Sequence, residues 1–160
     1  MEKVRVFLGG TCGTSTWRDE LIPKLGEHID YFNPQLPPGA WNEEAQKVED
    51  YHRENDDVRI YVITPEGEGF YSFVEVTDDS NKRPKQTILC VLTEANGKKF
   101  EGHILKSVLK TMKVIASNGV IVVNSLDELA NAINNFKKKN NDNMYVSPRK
   151  NENKKSTTMR

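Results

Sequence analysis

The stretch Val58-Arg-Ile-Tyr-Val-Ile-Thr64 decides the fold. It is rich in β-branched residues and mainly apolar on both alternating faces, which suits a central strand of a parallel sheet covered by helices on both sides. The next stretch, Pro65-Glu-Gly-Glu-Gly-Phe-Tyr-Ser-Phe-Val-Glu75, reads as a turn running into a helix. Glu75 then belongs at the carboxyl edge of the sheet, where ligands bind in such folds.

The same strand, turn and helix order extends in both directions. Val4 to Leu8 is a short apolar run ending in Gly9-Gly10, and a helix is expected from Trp17, with Thr16 as its cap and Asp19 approximating a capping box. Ile29-Asp-Tyr-Phe-Asn33 reads as a second strand, stopped by Pro34 and the Pro37-Pro38-Gly39 turn. Asn42 is suited to cap a helix reaching about Asn55.

Downstream, a helix over Tyr71 to Ser80 leads through the polar linker Asn81 to Lys85 into a strand over Thr87 to Leu92. Ile104, Leu105, Val108, Leu109 and Met112 fall at helical spacing within His103 to Ser117, and Val120 to Val123 forms the fifth strand. Ser125 and Glu128 match a capping box for a last helix, whose carboxyl end is read in Lys137 to Lys139, the end that favours positive charge.

Five strands alternating with helices imply an α/β, three-layer sandwich with a parallel sheet and right-handed crossovers. The expected strand order is 2-1-3-4-5, which reverses the chain's direction across the sheet between strands one and three. Loops 9–17 and 65–75 emerge there, so one pocket is expected to be shared between them.

A chain of 160 residues is one domain by prior, large enough to bury about two-thirds of its unfolded surface. Cys12 and Cys90 make no disulfide framework, and neither an apolar run near 18 residues nor a charged-then-apolar leader is seen, so a cytoplasmic protein outside the membrane is expected. The formal net charge of zero conceals an asymmetry of +6 from Lys137 onward against −6 before it. Residues 137–160 are read as a basic, disordered tail, either a solubility tail or an arm for nucleic acid or a partner, and residues 1–136 as the domain. The abundance of Lys and Asn fits an AT-rich bacterial or viral genome.

Gly9, Gly10 and Gly13 allow backbone N–H groups to converge on a phosphate or carboxylate near a helix start, or else serve a tight turn alone. The loop is neither a Walker A sequence nor a G-x-G-x-x-G fingerprint. Arg18 is suited to pair with an anion or with a surface carboxylate such as Glu43. Trp17 and Trp41 are suited to stack on a base or to pack. Cys12 beside a helix start is an alternative nucleophile. His28, His52 and His103 show no metal-ligand spacing, and no metal or other cofactor is expected.

Glu75 is either a nucleophile or a solvated helix residue. A carboxylate can attack an electrophilic sugar carbon to form a glycosyl ester, dividing one hard displacement into two. Tyr71 and Ser72 lie one turn earlier and can hydrogen-bond the carboxylate or the sugar, while Glu49 or Asp50 can reach the pocket from the second helix.

The segments Val6-Phe-Leu-Gly-Gly-Thr11, Ser15-Thr-Trp-Arg-Asp-Glu-Leu21, Tyr31-Phe-Asn33-Pro34, Tyr61-Val-Ile-Thr-Pro65, Gly69-Phe-Tyr-Ser-Phe-Val-Glu75 and Ser80-Asn-Lys-Arg-Pro84 together resemble the nucleoside 2-deoxyribosyltransferase-like family, in its small bacterial and phage branch. The resemblance covers residues 4 to about 135. It implies a flavodoxin-like fold, cleavage of the N-glycosidic bond of a 2-deoxynucleoside or its 5-phosphate, and Glu75 as the nucleophile at the anomeric carbon. The family's glutamate follows the proline that ends strand three by ten residues, as Glu75 follows Pro65.

The resemblance places Asn33 and Glu49, with Asp50 beside it, among the substrate-binding residues. The family's strand-one tyrosine falls on Phe7, and the aspartate six residues before the glutamate falls on Gly69. Related deoxynucleotide hydrolases bind the 5-phosphate at the first loop, here Gly10, Thr11, Ser15, Thr16 and Arg18. Hydrolysis, NAD or nucleotide-signal cleavage by analogy with TIR-type domains, and a catalytically silent nucleotide-binding module are the alternatives. Relatives often complete their pockets across a subunit interface, so a homo-oligomer is expected.

Overall fold

A computed structural model describes residues 2–67 and 69–138; residues 139–160, most of the expected tail, lie outside the described residues. Five strands form the parallel sheet in the order β2-β1-β3-β4-β7: β1 (Val4–Gly10), β2 (Ile29–Phe32), β3 (Val58–Ile63), β4 (Thr87–Val91) and β7 (Ile121–Val123). This is the expected order, with β7 as the fifth sheet strand. A small antiparallel hairpin of β5 (Glu94–Ala95) and β6 (Lys98–Lys99) interrupts the series. That hairpin is absent from the expectations above, although Asn96-Gly97, with φ of 49° and 79°, is the dipeptide that such a two-residue turn requires.

The helices are α1 (Trp17–Leu21), α2 (Glu43–Asn55), α3 (Tyr71–Lys82), α4 (Gly102–Ser117) and α5 (Leu126–Asn134). All six residues of β3 are buried, the consequence of pairing with β1 on one side and β4 on the other under helices on both faces. Strand alternation divides the core in two. Val6, Leu8, Ile60, Val62 and Ile88 pack with Trp17 and Leu21 of α1 and with Leu129 and Ile133 of α5. Phe7, Tyr61, Ile63, Leu89 and Val91 pack with Val76 of α3 and with Val108 and Ile115 of α4.

The second helix is held differently. α2 has no buried residue, so apolar burial contributes little to its docking and polar contacts from its inner face carry more of it. Its amino end follows the sequence: the Asn42 Oδ1 accepts the Ala45 N–H at 2.8 Å. Ser125 likewise caps α5 by accepting the Glu128 N–H at 3.2 Å.

Two local expectations are corrected. Thr16 does not cap α1; its hydroxyl donates to Glu20 Oε1 at 3.0 Å, and α1 is a single turn continued by a 3₁₀ turn at Ile22–Lys24. Pro23 explains the change, since it cannot supply the backbone donor that another α turn needs. Finally, α5 ends at Asn134, before the lysines. Lys138 instead pairs with Asp57 at 3.1 Å and Glu2 at 3.3 Å, across the amino edge of the sheet.

Candidate functional site

Glu75 lies one turn into α3, on the side turned toward α2, and only 8% of the residue is exposed. Its nearest cation is Arg53 of α2, with Nε 3.7 Å from Oε2. Among the described residues no hydrogen bond reaches either carboxylate oxygen. Burial pushes the carboxyl up to about 7; Arg53 opposes this, while Glu49, Asp79 and Asp50 add to it by like charge.

Asp79 follows Glu75 by one turn and is fully buried. Four donors meet its two oxygens: Arg53 Nε at 3.2 Å and Nη2 at 3.2 Å, Tyr61 Oη at 2.5 Å, and Arg83 Nε at 2.8 Å. That is the whole acceptor capacity of a carboxylate. Arg53 also donates to Asp78 at 3.0 Å and to the Glu75 carbonyl at 3.3 Å, so it joins α2 to α3 through several bonds. Arg83 extends the network back to Glu54 of α2 at 2.8 Å. The two carboxylates of α3 are therefore treated oppositely: Asp79 is saturated with donors, whereas Glu75 keeps its oxygens free in a buried place.

Arg53, Tyr61, Asp79 and Arg83 are absent from the residues singled out in the sequence. A helical signal was available, because Arg53 follows Glu49 by four residues and Asp79 follows Glu75 by four, which puts each pair on one face. Their meeting across two helices has no counterpart in either segment alone. Tyr61 also bears on Phe7: the rings lie edge to face with centroids 6.2 Å apart, and a tyrosine hydroxyl is supplied from β3, directed at Asp79 and Arg53.

Glu49 is half-buried on α2, with its carboxyl raised first by burial and then by Asp50, while Arg18 and Arg53 draw it down. Asp50 is exposed and accepts from Gln46 at 2.9 Å. Asn33, also exposed, accepts the Gln35 N–H at 3.0 Å, and the Gln35 side chain donates to the Gly13 carbonyl at 2.8 Å. Asn33 thus shapes the turn after β2.

The first loop departs from its expected anion-binding form. Gly9 and Gly10 are in the sheet, paired with Tyr61 and Val62. A Cβ on Gly10, which has φ of 122°, would meet the Val62 carbonyl oxygen at 2.2 Å, so close packing against β3 and a backbone barred to side chains require this glycine. Arg18 points inward and is 1% exposed; it donates to the Leu8 carbonyl at 3.2 and 3.0 Å and to the Thr11 carbonyl at 2.9 Å. Its donors are taken up by these carbonyls inside the fold, and it does not pair with Glu43. Trp17 is buried beneath the Arg18 guanidinium, with its Nε1 donating to the Thr11 carbonyl at 2.8 Å, so it packs and leaves no face for a base.

The loop's hydroxyls are occupied too. Thr11 Oγ1 accepts the Thr64 N–H at 2.9 Å, and Ser15 donates to Glu66 Oε1 at 2.8 Å. Thr16 is exposed and bridges Glu20 and Asn96. On the far side of the same helix start, Tyr71 is exposed and Ser72 faces a cleft of about 590 Å³ between α3 and α4, lined in part by Phe70, Phe73, Phe100 and Ile104. Neither Tyr71 nor Ser72 hydrogen-bonds Glu75, which points to the α2 side. The cleft and the buried carboxylate lie on opposite sides of α3, and it is the carboxylate's side that gathers the ionisable groups.

Cys12 and Cys90 are free thiols, the first exposed and the second buried, with burial pushing Cys90 up to about 12. No helix among the described residues is long and apolar enough to cross a membrane.

Comparison with known proteins agrees with this architecture. The crystal structure of a conserved protein from Enterococcus faecalis V583 matches with a TM-score of 0.51 and 16% identity, covering 82% of this chain and 97% of that one, a likeness of fold. No curated protein matches the chain significantly. The sequence profile described as "Nucleoside 2-deoxyribosyltransferase like" matches residues 3–94, from β1 through the end of β4 and including Glu75. As that match spans more than half of the sequence, the chain belongs to the nucleoside 2-deoxyribosyltransferase-like family.

Proposed function

We propose that the protein cleaves the N-glycosidic bond of a 2-deoxynucleoside through a deoxyribosyl ester on Glu75. The observation that carries this reading is the pair of unspent oxygens of Glu75, buried on a helix start at the carboxyl edge of the sheet beside a fully satisfied Asp79. One oxygen attacks the anomeric carbon as the bond to the base nitrogen breaks, and the bonding pair leaves with the base. Glu49, whose carboxyl is also raised by burial, is the proposed donor of the proton that the departing base takes up. A second base, or water, then attacks the anomeric carbon and gives up its proton to the Glu49 carboxylate, and the ester bond breaks to return the Glu75 carboxylate.

Arg53 and Tyr61 act as positioning residues in this scheme. Tyr61 reaches the site through Asp79, and Arg53, which also approaches Glu75 directly, draws back down the ionisation that burial raises. We assign the activity to residues 1–136 and treat 137–160 as a dispensable basic tail. Incubation with each common deoxynucleoside, with and without a free acceptor base, tests the reading. Base release only with acceptor marks a transferase, release without it marks a hydrolase, and no release with any substrate overturns the proposal.

A further inference from the structure

We propose that Asn96 is a site of spontaneous deamidation, and that its conversion to aspartate or isoaspartate releases the β5–β6 hairpin from the first loop. The chain carries two Asn-Gly dipeptides, Asn96-Gly97 and Asn118-Gly119, and a glycine, having no Cβ, leaves its nitrogen open to attack the side chain before it. The reaction needs no enzyme. The Gly97 nitrogen attacks Asn96 Cγ, the side-chain nitrogen takes up the proton and leaves as ammonia, and a succinimide ring forms. Water then opens the ring at either carbonyl, giving aspartate or, with a methylene added to the main chain, isoaspartate.

The two dipeptides stand in different surroundings. Gly97 lies in the exposed turn of the hairpin, where its N–H donates to no group among the described residues and a Cβ placed on it would touch nothing. Gly119 lies at the carboxyl end of α4, and its N–H donates to the Ala116 carbonyl at 3.0 Å. Asn118 is half-buried, with its side chain donating to Ser80 Oγ at 2.9 Å. The attacking nitrogen is free at the first dipeptide and committed at the second.

Asn96 is also what fastens the hairpin. Its Nδ2 donates to Glu66 Oε2 at 2.9 Å and to Thr16 Oγ1 at 3.2 Å, so the tip is tied to the turn after β3 and to the first loop. Both bonds lie at the surface, where local opening frees the side chain to react. The bond from Asn96 leads the influences that hold the Glu66 carboxyl below its ordinary range, so Glu66 is charged at neutral pH. Deamidation removes both donors and sets a second carboxylate against Glu66. Isoaspartate also lengthens a two-residue turn whose geometry fixes the register of the hairpin. The fastening becomes a repulsion, and the change is not undone by returning the conditions.

The test is ageing of the full chain at pH 8 with peptide mapping by mass spectrometry, together with hydrogen exchange on the fresh protein, the aged protein and Asn96→Asp. A committed N–H and partial burial should slow the second dipeptide, so Asn96 should convert about tenfold faster than Asn118 or more. Exchange in residues 11–16 and 94–99 should quicken in the aged protein and in Asn96→Asp, while β3 stays protected. Should the variant not fold, the aged wild type carries the comparison. Conversion of Asn118 first or at an equal rate, persistence of Asn96 while a free peptide of residues 93–100 converts, or unchanged exchange in both segments after conversion overturns the inference.

Discussion

Arg53 Nε stands 3.7 Å from Glu75 Oε2 but 3.2 Å from Asp79 Oδ2, so one guanidinium ties down the second carboxylate of α3 and only approaches the first. Two residues one helical turn apart acquire different chemistry from this offset. Asp79 becomes part of the scaffold, and Glu75 stays available.

Replacement of Glu75 should separate activity from stability. Glu75→Gln and Glu75→Ala should both abolish base release, with a trapped pentose adduct seen on the wild type alone. The buried carboxyl ionises near 7 against an ordinary 4.5, so the folded state holds its proton more tightly than the unfolded state does. Its unfavourable contribution is absent below about pH 4.5, grows as pH rises to about 7 and is constant above, reaching roughly 3 kcal/mol. Urea denaturation should therefore find Glu75→Gln more stable than the wild type at pH 8, with the gain vanishing at pH 4.

The same ionisation should appear in catalysis. The attacking group is the carboxylate, so kcat/KM should rise with pH through a midpoint near 7. Arg53→Ala should move that midpoint up, because the cation favours the charged form, while Glu49→Gln, which removes the proposed proton donor, should lower kcat by about a hundredfold or more. An upward shift of the midpoint in Arg53→Ala and a loss of kcat in Glu49→Gln are the expected results.

Loss of the polar network should loosen α2. Arg53→Ala leaves the buried Asp79 short of two donors and should cost roughly 3 kcal/mol in chemical denaturation. Tyr61→Phe removes one donor and should cost about 1 to 2 kcal/mol. Hydrogen exchange should quicken in Glu43–Asn55 before it does in β3.

Arg18→Ala should act on the fold. The buried Leu8 carbonyl loses both bonds from the guanidinium, at roughly 1 to 3 kcal/mol, while the Thr11 carbonyl keeps Trp17 Nε1, so the melting temperature should fall. Nucleoside and nucleotide binding to whatever remains folded should weaken equally; selective loss of nucleotide binding would restore Arg18 as a phosphate ligand.

Removal of the tail is expected to matter little. A chain ending at Lys138 keeps the pairs with Asp57 and Glu2, while one ending at Phe136 loses them and should be less stable by about 0.2 to 1 kcal/mol. Melting temperature and turnover of the two truncations check the boundary.

The amino-acid sequence alone determined the layout of the sheet, because two-sided burial writes a continuous apolar run such as Val58–Ile63, and glycines, prolines and caps mark the ends of elements within a few residues. It also singled out Glu75 by its place on the helix that follows the central strand, at the carboxyl edge of the sheet. The fates of Arg18 and Trp17 were decided in tertiary structure, because a polar or aromatic residue at a helix start faces ligand or core according to which carbonyls lie behind it. The pairing of Arg53 with Asp79, and of Ser15 with Glu66, likewise joins segments 26 and 51 residues apart. Local pattern reports periodicity along one segment; it carries no information about which polar groups of two segments will share a buried space, and that sharing is what sets their charge and availability.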